Sequence, residues 1–315
     1  MIALHITLYV LAFVAIWFGA GLIVASADRF SKRLKVSSFA FSFFILGMLT
    51  STPEFGVGMT ALAENNPEIF VGNLIGGIPV LFLLAIPILA ILGNGVKLHS
   101  ELETKNLLFA FVVILSPAFF VMDKKVTNAE GFILILLYCV LFFVMQRKKG
   151  IFDTQHSEVL HIRSYSFSDI LKVLLGVAIV FVASHVIVDY TLFFAKLLTV
   201  SPFYISLIFL SLGTNLPELS LAIRSVISGK KDVAFGDYIG SGAANTFLFG
   251  LFTLMNTGEV LTVNNFFTTF LLLAFGLGLF FYFTRSKNDI SRNEGFMLLC
   301  VYFLFVIIEH VLRTQ

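Results

Sequence analysis

The sequence predicts an all-α membrane protein of ten transmembrane helices, arranged as two inverted five-helix repeats. Composition, recurring apolar runs and an internal repeat carry that prediction. The 315 residues are 58% hydrophobic and only 13% charged, with a mean hydropathy of +0.96. A soluble domain carries about 25% charged residues. Apolar runs near 20 residues recur along the chain, the length a helix needs to cross hydrocarbon. The short alternating segments of a membrane barrel are missing.

Taken in order, the spans fall at about 7–27, 36–63, 68–93, 106–122, 129–146, 169–195, 202–228, 232–256, 264–284 and 293–312. Met1–His5 holds no basic region, so the first span reads as an uncleaved anchor. The second span contains a proline-glutamate motif, and the third opens on a glycine pair. The polar stretch 147–167 is too short for a folded domain and reads as a cytoplasmic linker. It divides the chain into a first repeat, 1–146, and a second, 168–315. Spans six to ten run through the same order of features again. Cys139 and Cys300 both lie in predicted spans and read as packing residues, neither a disulfide nor a metal pair. The 38 phenylalanines are lipid-facing and packing material.

The repeat is visible residue by residue. Thr50-Ser51-Thr52-Pro53-Glu54 recurs as Thr214-Asn215-Leu216-Pro217-Glu218, an offset of 164. Leu34, Val36, Ser37, Ser42 and Leu46 find the same residue types at Leu198, Val200, Ser201, Ser206 and Leu210. Gly72, Ile75 and Gly76 match Gly236, Ile239 and Gly240 at the same offset, with no gap.

Charge fixes the orientation. With the N-terminus outside, 17 of the 21 Lys and Arg fall on inside ends and loops. Lys124, Lys125, Lys196 and Arg313 are the four outside. The positive-inside rule therefore favours N-out, C-out in a cell membrane. Five is an odd number, so the second repeat enters upside down relative to the first. Its motif then approaches the midplane from the opposite side. The net charge of +2 is partitioned by topology and forms no nucleic-acid patch.

The motif has the chemistry of a cation site. Proline lacks an N–H, so Pro53 frees the carbonyl of Leu49 and Pro217 that of Gly213. Freed carbonyls at membrane depth need a cation, water or hydroxyl. Thr50 and Glu54 are spaced i, i+4, on one helical face, as are Thr214 and Glu218. One glutamate beside a proline suits a packing residue. Two copies in an inverted repeat point to an ion site. Two carboxylates, two threonine hydroxyls and loosened carbonyls supply the six to eight hard oxygens that Ca²⁺ prefers. No Cys or His cluster suits Zn, Cu or Ni as cargo. Glycines four apart at Gly72/Gly76 and Gly236/Gly240 permit close helix approach. Polar residues follow only in the second copy, at Ser241 and Asn245, where the first has Gly77 and Leu81.

Other polar residues read as structural. His185 and Asp189, also i, i+4, suit a hydrogen bond or interfacial position, with a proton relay as the alternative. Asp237 lies near Lys230 and Lys231 and suits a surface ion pair. Glu64 and Glu68 are expected as solvated charges at the outer mouth. Glu309 and His310 are expected at the interface.

These residues resemble the sodium/calcium exchanger family, within the calcium/cation antiporter superfamily. Gly213-Thr-Asn-Leu-Pro-Glu218 is similar to the family's G-T-S-x-P-E signature, with Asn215 in place of Ser. Thr50-Ser-Thr-Pro-Glu54 matches it apart from Leu49 in the glycine position. Gly236-Asp-Tyr-Ile-Gly-Ser241 resembles the family's G-N-x-x-G-S run. The resemblance implies a Ca²⁺ site from Glu54, Glu218, Thr50 and Thr214. It also implies Na⁺ sites from backbone oxygens at Gly47 and Ser211, with side chains of Ser51, Asn215, Ser241 and Asn245. Alternating access would come from sliding of spans one and six against the other eight. Gly77 replaces the family's first-copy serine, and Leu81 its Asn or Asp. The better-formed sodium site is therefore expected near Ser211, Asn215 and Ser241, and the weaker one near Gly47, Ser51 and Gly77.

Two readings of the counter-ion follow: Ca²⁺/Na⁺ exchange, or Ca²⁺/H⁺ exchange with the glutamates carrying protons. A non-transporting sensor or channel-like scaffold fits the duplicated site less well. No nucleophile–base pair marks an enzyme. Neither a cofactor nor an obligate protein partner is implied; the partners are the lipid bilayer and inorganic cations.

Overall fold

The computed structural model describes residues 2–31, 43, 47–93, 95–97, 104–148, 167–216, 218–219, 231–262, 266–286 and 289–313. Its helices are α1 (Ile2–Ser31), α2 (Gly47–Thr50), α3 (Thr52–Ala63), α4 (Pro67–Leu92) and α5 (Thr104–Asp123). They continue as α6 (Asn128–Lys148), α7 (Phe167–Leu198), α8 (Pro202–Thr214), α9 (Lys231–Met255), α10 (Phe267–Ser286) and α11 (Arg292–Arg313). Among the described residues, eight of these are long and apolar enough to cross a membrane. They correspond to the predicted spans one, three to six and eight to ten. The predicted spans 36–63 and 202–228 and the linker 147–167 reach into residues outside the described set, as do Pro217, Lys230 and the matches at Leu34–Ser42 and Leu46.

Local sequence explains where helices begin. Pro67 sits in the first turn of α4, where its missing N–H costs nothing. Thr127 and Glu130 form a capping box at the start of α6: Thr127 N and Oγ1 donate to Glu130 Oε2 at 2.7 and 2.8 Å. Ser291 and Glu294 build the same box at the start of α11, at 2.8 and 2.7 Å. The two boxes are 164 positions apart.

The all-α expectation missed two short ribbons. Strand β1 (Val96–Lys97) pairs antiparallel with β4 (Asp289–Ile290), and β2 (Lys125–Val126) with β3 (Val260–Leu261). Val96 pairs with Ile290 in one ribbon and Val126 with Val260 in the other. The offset of 164 carries β1 onto β3 and β2 onto β4, so each ribbon is the counterpart of the other. Two-residue strands leave no readable alternation in sequence, which is why they were not anticipated.

The bundle has a centre and a flank. Helices α4 and α9 are the most enclosed of the membrane-length helices, with 83% and 78% of their apolar windows buried. Edge-to-face rings tie them together, Phe70 on Phe249 at 5.6 Å, and Phe82 extends the contact to Phe280 of α10 at 5.4 Å. Helices α5, α6, α10 and α11 surround this centre. Helices α1 and α7 pack chiefly on each other, through Tyr9 OH to Thr191 Oγ1 at 3.0 Å and a ladder of His5, Tyr9, Tyr190 and Phe194. Large apolar side chains such as Val182, Phe143 and Phe275 lie exposed on the outside, a lipid-facing surface. The chain is a multi-pass membrane protein.

Candidate cation site

The site begins with two broken helices. Helix α2 stops at Thr50, Ser51 turns at φ −75°, ψ 10°, and α3 restarts with Pro53 in its first turn. The second copy does the same: α8 stops at Thr214 and Asn215 turns at φ −86°, ψ 10°. Glu54 therefore lies in the first turn of α3, where helix N–H groups favour negative charge. The turns are pinned identically. Thr50 Oγ1 and Ser51 Oγ donate to Gly47 O at 3.2 and 2.8 Å. Thr214 Oγ1 and Asn215 Nδ2 donate to Ser211 O at 3.4 and 2.8 Å. The Leu49 carbonyl that Pro53 leaves free accepts from Thr52 Oγ1 at 2.6 Å, so a hydroxyl satisfies it.

Irregular helix flanks the breaks. A π-helical stretch, Ser206–Leu210, runs directly into Ser211, and another, Val80–Ala85, lies just past Gly77. Such stretches rotate the side chains that follow them and recur at functional sites.

Close backbone approach brings the four segments together. A Cβ on Gly76 would strike Leu207 O, and one on Gly240 would strike Phe43 O. These two contacts are again counterparts at the offset of 164. Each glycine-bearing helix thus presses on the broken helix of the opposite half, α4 on α8 and α9 on α2.

Glu54 and Glu218 are buried at 1% and 0% exposure and lie close enough to interact electrostatically. The threonines cross over: Thr214 flanks Glu54 and Thr50 flanks Glu218. Ser241 Oγ donates to Glu218 Oε1 at 3.1 Å. Among the described residues, both oxygens of Glu54, and Glu218 Oε2, have no hydrogen-bond partner. Among the described residues, no Lys, Arg or His pairs with either carboxylate. Two buried anions with three unmet oxygens are costly unless a cation or proton joins them.

The flanking polar residues group differently from the sequence-based expectation. Ser241 stands with Ser51, 3.3 Å between hydroxyls, and with Gly47, whose added Cβ would lie 2.7 Å from Ser241 N. A first chamber is thus Gly47 O, Ser51, Ser241 and Glu218. Asn215 and Ser211 instead meet α4. An added Cβ on Gly76 would lie 2.6 Å from Ser211 Oγ, and one on Gly77 3.4 Å from Asn215 Nδ2 and 2.9 Å from Asn245 Nδ2. The second chamber holds Ser211, Asn215, Gly77 and Asn245, with Asn215 Oδ1 and both amide atoms of Asn245 unpartnered among the described residues. The physical reason is the crosswise packing: the glycine run of each half faces the motif of the other.

Sequence reasoning missed Asn73. It is fully buried, and its Oδ1 accepts from Thr214 Oγ1 at 3.0 Å while Nδ2 has no partner among the described residues. Its signal was the polar residue after the first glycine in both copies, Asn73 and Asp237; the side chain of Asp237 is outside the described set. Glu309 departs from the interfacial expectation, whereas His310 is exposed. Glu309 is fully buried, accepting from Thr269 Oγ1 at 2.5 Å, and His310 Nδ1 meets Tyr204 OH at 2.9 Å. Helix α10, through Thr269, covers Glu309, while the rest of that turn stays exposed.

This architecture has relatives. The family model for sodium/calcium exchanger protein matches residues 4–146 and 169–310, both halves of the chain. A sodium/calcium exchanger of Methanosarcina acetivorans, MaX1, is 24% identical, covering 98% of this chain and 99% of its own. The inner membrane protein YrbG of Escherichia coli K12 is 27% identical, covering 77% and 79%. Among solved structures, the sodium-calcium exchanger NCX_Mj superposes with a TM-score of 0.69 at 20% identity, covering 98% of this chain and 99% of that one. The H+/Ca2+ exchanger CAX superposes with a TM-score of 0.75 at 16% identity, covering 98% and 86%. With matches across both halves, the chain belongs to the sodium/calcium exchanger protein family of membrane cation antiporters.

Proposed function

We propose that this chain exchanges Ca²⁺ for Na⁺ across a cell membrane, holding Ca²⁺ between Glu54 and Glu218. One observation carries the reading: two buried carboxylates lie within electrostatic reach of each other, with three oxygens unpartnered among the described residues and a threonine hydroxyl beside each. Ca²⁺ takes six to eight oxygens, and four carboxylate and two hydroxyl oxygens converge here. The first chamber, with Gly47 O, Ser51, Ser241 and Glu218, is an all-oxygen setting suited to Na⁺. The scaffold in this reading is ten helices in two inverted five-helix repeats, 1–146 and 168–315, with 147–167 cytoplasmic and both termini outside. Support for inversion comes from the ribbons. Helix α5 separates β1 from β2, so the counterpart strands β1 and β3 lie at opposite ends of the bundle. Transport needs no cofactor, enzymatic step or protein partner in this reading. It is tested by ⁴⁵Ca²⁺ uptake into proteoliposomes with a Na⁺ gradient alone; no Na⁺-driven flux overturns it.

The second reading, Ca²⁺/H⁺ exchange, is favoured by the second chamber. Gly77 brings no hydroxyl there, and amide groups of Asn215 and Asn245 stand unpartnered. The likeness to CAX is compatible with it. The same proteoliposomes driven by a pH gradient alone distinguish it.

A further inference from the structure

Outside the buried site, one cluster of metal-ligating side chains among the described residues joins the end of α3 to α7. Glu64 follows the last turn of α3, and His185 and Asp189 share one face of α7 at i, i+4. His185 Nδ1 lies 3.8 Å from Glu64 Oε1, and His185 Nε2 lies 3.7 Å from Asp189 Oδ2. Those distances exceed a hydrogen bond, so the imidazole stands between two carboxylates and is bonded to neither. One ligand atom from each residue falls within 4.8 Å of the others. All three side chains are open to solvent, at 58%, 39% and 55% exposure for His185, Glu64 and Asp189.

We infer that Glu64, His185 and Asp189 bind a divalent metal of borderline softness, such as Zn²⁺, Co²⁺ or Ni²⁺, and that the metal clips α3 to α7. The ligand set decides the class. One imidazole and two carboxylates with a water suit tetrahedral Zn²⁺ or Co²⁺, whereas Ca²⁺ and Na⁺ take all-oxygen shells. Metal–ligand bonds near 2.0–2.2 Å place tetrahedral ligand atoms roughly 3.4 Å apart; the two short pairs use opposite ring nitrogens, so one metal takes a single nitrogen, and the three ligand atoms that can share it, now within 4.8 Å of one another, draw together on binding. The cargo site has no imidazole, so the two sites differ in the ions they select.

Position gives the clip its effect. Helix α3 carries Glu54 at its start and Glu64 just past its end. Helix α7 meets it closely, since a Cβ on Gly56 would lie 2.6 Å from Ser184 Oγ. Any movement of the α1/α7 pair across α3 changes the separation of Glu64 from His185. A bound metal fixes that separation and arrests exchange without touching the buried carboxylates. The arrest rests on the exchange reading above; the binding does not.

Two arms keep these apart. In the first, purified full-length protein is titrated with Co²⁺ in excess Ca²⁺, and the visible bands of tetrahedral Co²⁺ are followed. One Co²⁺ per chain is expected. His185→Gln should abolish the bands, and Glu64→Gln or Asp189→Asn should weaken binding at least about tenfold. Unchanged bands in His185→Gln overturn the site, whatever ion the protein exchanges. In the second, Zn²⁺ is added to proteoliposomes from the N-terminal face during ⁴⁵Ca²⁺ flux. Block of the wild type, with His185→Gln active and insensitive, supports the clip. Co²⁺ binding with unblocked flux, or equal block of His185→Gln, overturns it. Absence of any Ca²⁺ flux overturns the exchange reading, and the Co²⁺ arm still decides the site.

Discussion

Thr214 Oγ1 donates to Asn73 Oδ1 at 3.0 Å, so the hydroxyl beside Glu54 is oriented by an amide from the other half of the chain. With its single proton directed there, and only weakly toward Ser211 O at 3.4 Å, the Thr214 oxygen keeps its lone pairs for a cation. Asn73→Ala should release the hydroxyl to rotate and lower apparent Ca²⁺ affinity about tenfold, near 1.4 kcal/mol. Asn73→Asp, which keeps the acceptor, should recover most of it. The concentration dependence of ⁴⁵Ca²⁺ uptake is the measurement. Equal affinity in Asn73→Ala and wild type would remove Asn73 from the site.

The two glutamates should be equally required, although their surroundings differ. Glu218 keeps a hydrogen bond from Ser241, and Glu54 has none. Glu54→Gln or Glu218→Gln removes one of two charges facing a divalent ion. Ca²⁺ flux should fall at least about a hundredfold in each, the scale of one lost charge-assisted contact. Unaltered elution on size-exclusion chromatography would show that the protein still folds. Near-normal uptake by either variant would dismiss the shared site.

Counter-ion stoichiometry should follow the chambers as the structure groups them. The chamber of Gly47, Ser51 and Ser241 is the better formed, and that of Ser211, Asn215 and Gly77 the weaker. Na⁺-driven flux should show a Hill coefficient below three. Ser241→Ala should lower it further, since it removes the only hydroxyl donated to Glu218 by α9 among the described residues. Gly77→Ser places a Cβ 2.9 Å from Asn245 Nδ2, so Asn245 must shift as the hydroxyl arrives. Paired with Leu81→Asn, it should raise the coefficient. A wild-type value of three that neither change moves would contradict this grouping.

Much of this was legible because the repeat is written in side chains. The motif residues Thr50, Glu54, Thr214 and Glu218 could be found by offset alone, and the structure brings them to one buried place. The partnering of the flanking residues was not legible. Ser211, Asn215 and Ser241 belong to the same half of the chain, yet Ser241 faces Ser51 of the other half. Crosswise packing depends on glycine contacts between halves, and a single sequence says that helices approach closely without saying which ones. Thr52 hid in plain view, because a hydroxyl one residue before a proline can reach the carbonyl that the proline frees. Glu309 was misplaced because distance along a helix gives depth, while burial depends on which neighbours cover that turn.

Glycine contacts should also govern stability. Gly76→Ala puts a methyl carbon against the Leu207 carbonyl, where backbone cannot yield as a side chain would. Overpacking of this kind costs about 1–3 kcal/mol, and the melting temperature in detergent should drop. Gly278→Ala, with nothing near its added Cβ, is the matched control and should melt as the wild type. Equal melting of the two variants would show that the approach of α4 to α8 is not tightly packed.

The ribbons acquire a mechanical meaning once their ends are traced. One joins the connection between α4 and α5 to that between α10 and α11; the other joins α5–α6 to α9–α10. They act as a hoop at each rim of a cask whose staves are α4, α5, α6, α9, α10 and α11. Neither hoop passes around α1 or α7. A load that turned the cask would be shared among its staves, while α1 and α7 join it through side-chain packing and carry no strand of either hoop.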